Sequence, residues 1–326
     1  MRRATLVGGH SLITSSRYRL GAFAAVTLVA LRLGIGWHFY QEGVTKIEDP
    51  SWTAAGFFTG SAGPLKPLFE TMVWDKDGRA RLNYAKSSSG RPEISLEGTL
   101  QMWAQHRVQV AEHYGFDKNQ EAASEDCLKR WTEQLDWYFT EYRDDIIEYF
   151  HRLERRDANR RDPARRSVAS LRDQAATVEA ELAADLGPWL ADVGKIWGGY
   201  DEAINAIATK EQRARGPLAI GKPARGLMDT LIIDRIVPWF DAIVGAMLLL
   251  GLGTRIAALA GAGFLFSIIM TQWPGAPGAQ PVYYQTIEML GALVLVATAA
   301  GQYAGLDFVV SNIWSRFTKA KQDTNS

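Results

Sequence analysis

Four stretches of this chain are nearly free of charge, and they constrain its fold more than anything else in it. Residues 20–40, 236–252, 256–273 and 282–304 each carry at most one ionised side chain, while 75–235 is dense in Arg, Asp, Glu and Lys. Each stretch is about 17–23 residues, enough to cross the hydrocarbon core of a bilayer as a helix. A mean hydropathy of -0.13 therefore averages over two unlike regions. The rival reading, core helices of a soluble protein, fits poorly with the glycine content and the scarcity of charge in these stretches. The expected fold class is all-α: a four-transmembrane-helix bundle, with an extramembrane helical bundle inserted between spans 1 and 2.

Charge sets the expected orientation. Arg2, Arg3, Arg17 and Arg19 precede the first span without an acid among them, Arg255 sits in the short turn 252–255, and Arg316, Lys319 and Lys321 follow the last span. Positive charge near span ends marks the cytoplasmic side. The chain thus reads as a cytoplasmic segment 1–19, a first span 20–46, an interfacial loop region 47–94, an extracytoplasmic helical bundle 95–215, an interfacial re-entry segment 216–235, spans 2–4 over 236–304, and a cytoplasmic tail 305–326. A cleaved signal peptide is the rival for the first span, but Arg32 interrupts the region where cleavage would fall.

In the middle region, Leu128, Trp131, Leu135, Tyr138, Tyr142, Ile146, Tyr149 and Leu153 recur at three or four, as a packed helix stripe requires. The polar run 155–163 ends it, and Val168, Leu171, Ala175, Val178 and Leu182 resume the spacing, which predicts an antiparallel hairpin. Gly187-Pro188 is expected to break the chain before a last amphipathic helix. Residues 76–94 read as irregular, with Ser87-Ser88-Ser89-Gly90 as a turn.

Several chemistries are excluded. One cysteine, Cys127, allows no disulfide within the chain, no CxxC pair and no cysteine-ligated cluster. Of five histidines only His38 lies in an apolar stretch, so one copy cannot clamp a haem between two intramembrane histidines, and no metal-ligand spacing appears. Lys+Arg and Asp+Glu balance at 36 each; with the basic residues interleaved among acids, no nucleic-acid partner is expected.

An ionisable residue inside a span is costly and usually faces the protein interior beside a partner. At 1.5 Å per residue, Arg32 should lie roughly 12 Å below the outer surface, Asp241 about 8 Å and Glu288 about 9 Å, with Gln285 one turn above Glu288. His38, Glu42 and Lys46 follow Arg32 on one face at i, i+4 and i+8. These seven residues are the candidate ligand-binding or proton-path site, a polar pocket opening outward that suits a quinone head group, a small anion or a proton relay. The bland alternative is that Arg32 and a carboxylate neutralise each other and only lock the helices.

Leu31-Arg32-Leu33-Gly34-Ile35-Gly36 with Phe39, Gly43 and Lys46 resembles the first span of DoxX-like (DoxX/DoxD) membrane proteins. Asp241, Gly245 and Gly251-Leu-Gly253-Thr254-Arg255 resemble their second span and turn, and Glu288 with Gly301, Leu306 and Asp307 their fourth span and exit. That family includes the small membrane subunit of a thiosulfate:quinone oxidoreductase. The resemblance implies an inner-membrane subunit of a quinone-linked system, with a quinone as candidate cofactor. Its candidate partners are the lipid bilayer, an oxidoreductase subunit and a second copy of the chain. The alternative is a non-catalytic membrane scaffold whose outer helical bundle docks a partner protein.

Overall fold

The computed structural model describes residues 21–162 and 168–313. Arg2, Arg3, Arg17, Arg19, Pro163, Arg316, Lys319 and Lys321, which entered the readings above, lie outside the described residues. The described chain is mostly helical. In order its elements are α1 (Ala22–Glu48), α2 (Ala55–Thr59), α3 (Lys66–Thr71), β1 (Tyr84–Lys86), β2 (Pro92–Ile94), α4 (Glu97–Tyr114), α5 (Lys118–Glu141), α6 (Arg143–Arg161), α7 (Ala169–Ala206), α8 (Thr230–Leu250), α9 (Thr254–Thr271) and α10 (Tyr283–Thr298). They form two compact units, Met1–Met72 with Thr230–Ser326, and Val73–Asp229.

In the first unit α1 lies along α8, α9 lies along α10, and further contacts join α8 to α9 and α1 to α10. α1 stops at Asp49 because the residue before a proline is pushed out of the helical region; Asp49 is extended, at φ -98 and ψ 99. The α1–α8 seam is closed by missing side chains. A Cβ on Gly36 would come within 2.9 Å of the Leu249 amide nitrogen, and one on Gly43 within 2.7 Å of the Pro238 carbonyl oxygen. Gly245 faces the Tyr40 backbone in the same way. Small residues let helices approach this closely, which matters most where solvent supplies no hydrophobic drive. Gly34 and Gly263, by contrast, face open space.

Among the described residues two helices, α1 and α9, are long and apolar enough to cross a membrane. α10 has 16 residues, and α8 carries Asp234, Arg235 and Asp241. The re-entry segment 216–235, read as lying apart from the second span, instead gives its last residues to the start of α8, which runs unbroken from Thr230 through Pro238. Its buried residues Ile233, Pro238, Asp241, Val244, Gly245 and Leu248 keep helical spacing across the proline, so packing outweighs the one hydrogen bond that proline removes. The last apolar stretch also ends earlier than its composition suggests. α10 stops at Ala299, whose φ of 50 is left-handed; a short 3-10 turn follows, and 306–313 is helical again.

The second unit contains the predicted hairpin. Arg152 pairs with Asp185 and Arg160 with Glu179, so α6 and α7 run antiparallel. Two expectations fail here. The stripe from Leu128 to Leu153 is divided between α5 and α6 at Tyr142, which sits at φ -100 and ψ 15. Gly187-Pro188 does not break α7. Gly187 has no Cβ to clash with the proline ring, and Leu182, Leu186 and Val193 are buried in one core on both sides of it. Residues 76–94 hold a two-stranded antiparallel hairpin around the Ser87–Gly90 turn, with Tyr84 opposite Ile94; three-residue strands leave no period to read. At the core, Trp103 stacks on Tyr200 at 4.4 Å, and Tyr200 donates to the Trp103 carbonyl at 2.9 Å.

Candidate functional site

α1 presents His38, Glu42 and Lys46 as one row, because residues four apart lie above one another on a helix. Across the seam, Lys46 Nζ donates to Asp241 Oδ2 at 2.7 Å and lies 3.2 Å from Glu42 Oε2. His38 Nδ1 lies 2.8 and 2.9 Å from the two oxygens of Glu288 on α10. The carboxylate accepts there, which turns His38 Nε2 toward Glu42, 4.0 Å away. Glu42 is the most exposed of the acids at 53%, whereas Asp241 is 1% exposed.

These groups surround a cavity of about 120 Å³. His38, Glu42, Lys46, Asp241 and Gln285 form its polar side, and Phe39, Phe264, Leu265, Ile268 and Tyr284 the rest. Two buried acceptors on its wall, Asp241 Oδ1 and Gln285 Oε1, have no hydrogen-bond partner among the described residues. Lys46, Phe264 and Ile268 also line a second cavity of about 220 Å³, which is closed by Trp52, Phe57, Phe58 and Phe69. The segment that supplies those aromatics is tied to the helices at both ends. Asp234 accepts from Thr53 Oγ1 at 2.7 Å and from the Ala54 amide at 2.8 Å, and Gln272 donates to the Gly60 carbonyl at 3.0 Å. Phe58 and Phe69 stack at 5.8 Å, and the Lys46 ammonium lies 5.6 Å from the Trp52 ring.

Six of the seven candidate residues thus come together, with Glu288 reaching the group through His38. Arg32 does not join them. It is 2% exposed and donates from Nη2 to the Ala304 carbonyl at 2.9 Å, with its Nη1 against Gly251 and Gly305. Register is the reason. Gly43 faces Ala242, Tyr40 faces Gly245 and Gly36 faces Leu249, so each step down α1 meets a later residue of its partner. Arg32 is therefore level with the 251–254 turn, away from Asp241. The expected convergence of Arg32, Asp241 and Glu288 is replaced by two separate polar places.

The place around Arg32 is built by a residue that helical periodicity could not single out. The Asp307 carboxylate accepts from the amides of Gly253 at 2.7 Å and Thr254 at 2.9 Å, and so caps the start of α9. Its own amide donates to the Gly251 carbonyl at 2.8 Å. Asp234, Tyr284 and Phe264 were also missed as parts of the first place. Asp234 was legible only as a charge beside Arg235, and the other two only as members of apolar stretches.

The fold and the cavity define a helical protein with ion-paired residues buried among helices whose outer faces are apolar. Residues 220–323 match the family described as the TQO small subunit DoxD, a DoxX-like family. Asp241, Gln285, Glu288 and Asp307 lie inside the matched residues, and His38, Glu42 and Lys46 lie before them. No curated protein and no solved structure matches the chain.

Proposed function

We propose that α1, α8, α9 and α10 span a membrane as a four-helix bundle. In this reading the chain is the membrane subunit of a quinone-linked oxidoreductase system, and the cavity of Lys46 and Asp241 receives the quinone head group. One observation carries the membrane reading. All four helices expose large apolar side chains, among them Val26 and Leu33 on α1, Ile236 and Ile243 on α8, Ile256 and Phe266 on α9, and Ile287 and Leu290 on α10. A protein that buries Lys46 and Asp241 inside while leaving such side chains outside is inverted relative to a water-soluble one. Trp37, Tyr40, Trp239, Tyr283 and Tyr284 are exposed toward the Lys46 end, as interfacial aromatics are.

The chemistry of the cavity supports the ligand class. A polar chamber of about 120 Å³ adjoins an aromatic-lined one of about 220 Å³ through Lys46, which suits an amphiphile with a small polar head and an apolar body. The match to a family described as a TQO small subunit supports a further oxidoreductase subunit as partner. Both termini are cytoplasmic in this reading, and the unit Val73–Asp229 is extracytoplasmic.

An azido-quinone added to membranes containing the full chain tests the proposal. Illumination should attach it to peptides spanning 38–58 and 264–285, and excess unmodified quinone should prevent this. A chain extracted by alkaline carbonate, or labelling spread evenly over both units, would refute it.

A further inference from the structure

Within the cavity, acceptors and donors are not balanced. Glu42, Asp241, Glu288 and the Gln285 carbonyl oxygen accept, whereas the nitrogen donors facing them are Lys46 and His38. Lys46 already serves Asp241 Oδ2 at 2.7 Å, with Glu42 at 3.2 Å, and His38 Nδ1 serves Glu288. Asp241 Oδ1 and Gln285 Oε1 are left over, both buried on the cavity wall without a partner among the described residues. Leaving a buried acceptor unmade is costly, and an occupant that donates to it recovers that cost.

We infer that this cavity takes a hydroxyl-bearing aromatic head, the reduced quinol form, in preference to the oxidised quinone. The inference rests on the quinone-linked reading and deepens it. A quinol hydroxyl is a donor and completes Asp241 Oδ1 or Gln285 Oε1. A quinone carbonyl is only an acceptor and would face these two oxygens across the same space. An amine cation would also donate, but a simple amine brings no apolar body for the second chamber. The aromatic walls of the second chamber, Trp52, Phe57, Phe58 and Phe69, favour an apolar body behind the head.

The test is anaerobic titration of the full chain in nanodiscs with decylubiquinol and, separately, decylubiquinone, read by quenching of tryptophan fluorescence. The quinol is expected to bind about tenfold or more tightly, the ratio that one rescued buried acceptor supplies. Asp241→Asn keeps an acceptor for Lys46 and turns an amide donor into the cavity, so it should narrow or reverse the ratio. Gln285→Leu, which leaves the Lys46 pair intact, should weaken the quinol severalfold and leave the quinone unchanged. Equal affinities, or tighter quinone binding by the natural chain, would overturn the inference while leaving the quinone-linked reading standing. If neither form binds, both fall.

Discussion

Replacing Lys46 by Met tests whether the ion pair in the cavity holds α1 to α8. The substitution leaves Asp241, 1% exposed, without its cation. Removing one partner of a buried pair costs about 3–5 kcal/mol, mostly the burden of an uncompensated buried charge. Lys46 keeps 16% of its side chain exposed, which puts the expected loss near the lower figure, about 3 kcal/mol. Hydrogen exchange of the full chain in detergent reads this as local opening. Amides of α1 and α8 should exchange about a hundredfold faster, since each 1.4 kcal/mol is a factor of ten, while peptides from Val73–Asp229 remain unchanged. Lys46→Met with Asp241→Leu replaces the pair by apolar side chains and should recover most of the protection. The reasoning fails if Lys46→Met leaves exchange unaltered, or if the double substitution is worse than the single one.

Three further expectations follow from other parts of the molecule. Gly43→Ala forces a methyl against the α8 backbone and should cost about 1–3 kcal/mol in the same exchange measurement; Gly34→Ala, with open space around it, should be neutral or stabilising. In the second unit the Asp77 carboxylate accepts from both Arg156 Nη1 and Nη2 at 2.8 Å. Burial pushes its pKa up, but the hydrogen bonds and charge of Arg156 outweigh this and hold it below the usual value. The unfolded chain then takes up the proton first. Stability from this pair is present above the ordinary aspartate range and is lost as pH falls through and below it. Exchange of α6 peptides followed from pH 7 to 3 should show the loss, and Asp77→Asn should flatten it. Finally, Cys127 is 2% exposed and burial raises its thiol pKa. A thiol reagent at pH 8 should modify it at least about a hundredfold more slowly in the native chain than in denaturant; equal rates would refute its burial.

The contrast between the two polar places bears on which residues to vary first. Arg32 drew notice as the only charge in the first apolar stretch, yet its surroundings are the Ala304 carbonyl, Gly251, Gly305 and the Asp307 carboxylate that caps α9. Nothing in that arrangement points toward the cavity. Substitutions of Arg32 and Asp307 thus report on the turn between α8 and α9 and the segment after α10, whereas Lys46, Asp241 and Gln285 report on the cavity.

The positions of the long helices were legible from hydropathy and spacing alone, because a helix buries a face at a fixed period whatever it packs against. The row of His38, Glu42 and Lys46 follows from the same geometry. Local chemistry also marked the Ser87–Gly90 turn. What sequence could not determine was which charge meets which. Pairing depends on where each helix ends and on the register between neighbours. α1 continues to Glu48 and α8 begins at Thr230, several residues beyond the limits that apolar composition suggests. Arg32 and Lys46 are 14 residues apart, about 21 Å along a helix, so the register that brings Lys46 to Asp241 leaves Arg32 at the 251–254 turn. The glycine contacts of Gly36, Gly43 and Gly245 set that register, and they exist only once two helices distant in sequence lie together. Packing likewise decided that Pro188 and Pro238 stay inside helices, since the contacts on either side outweigh the single hydrogen bond each proline removes.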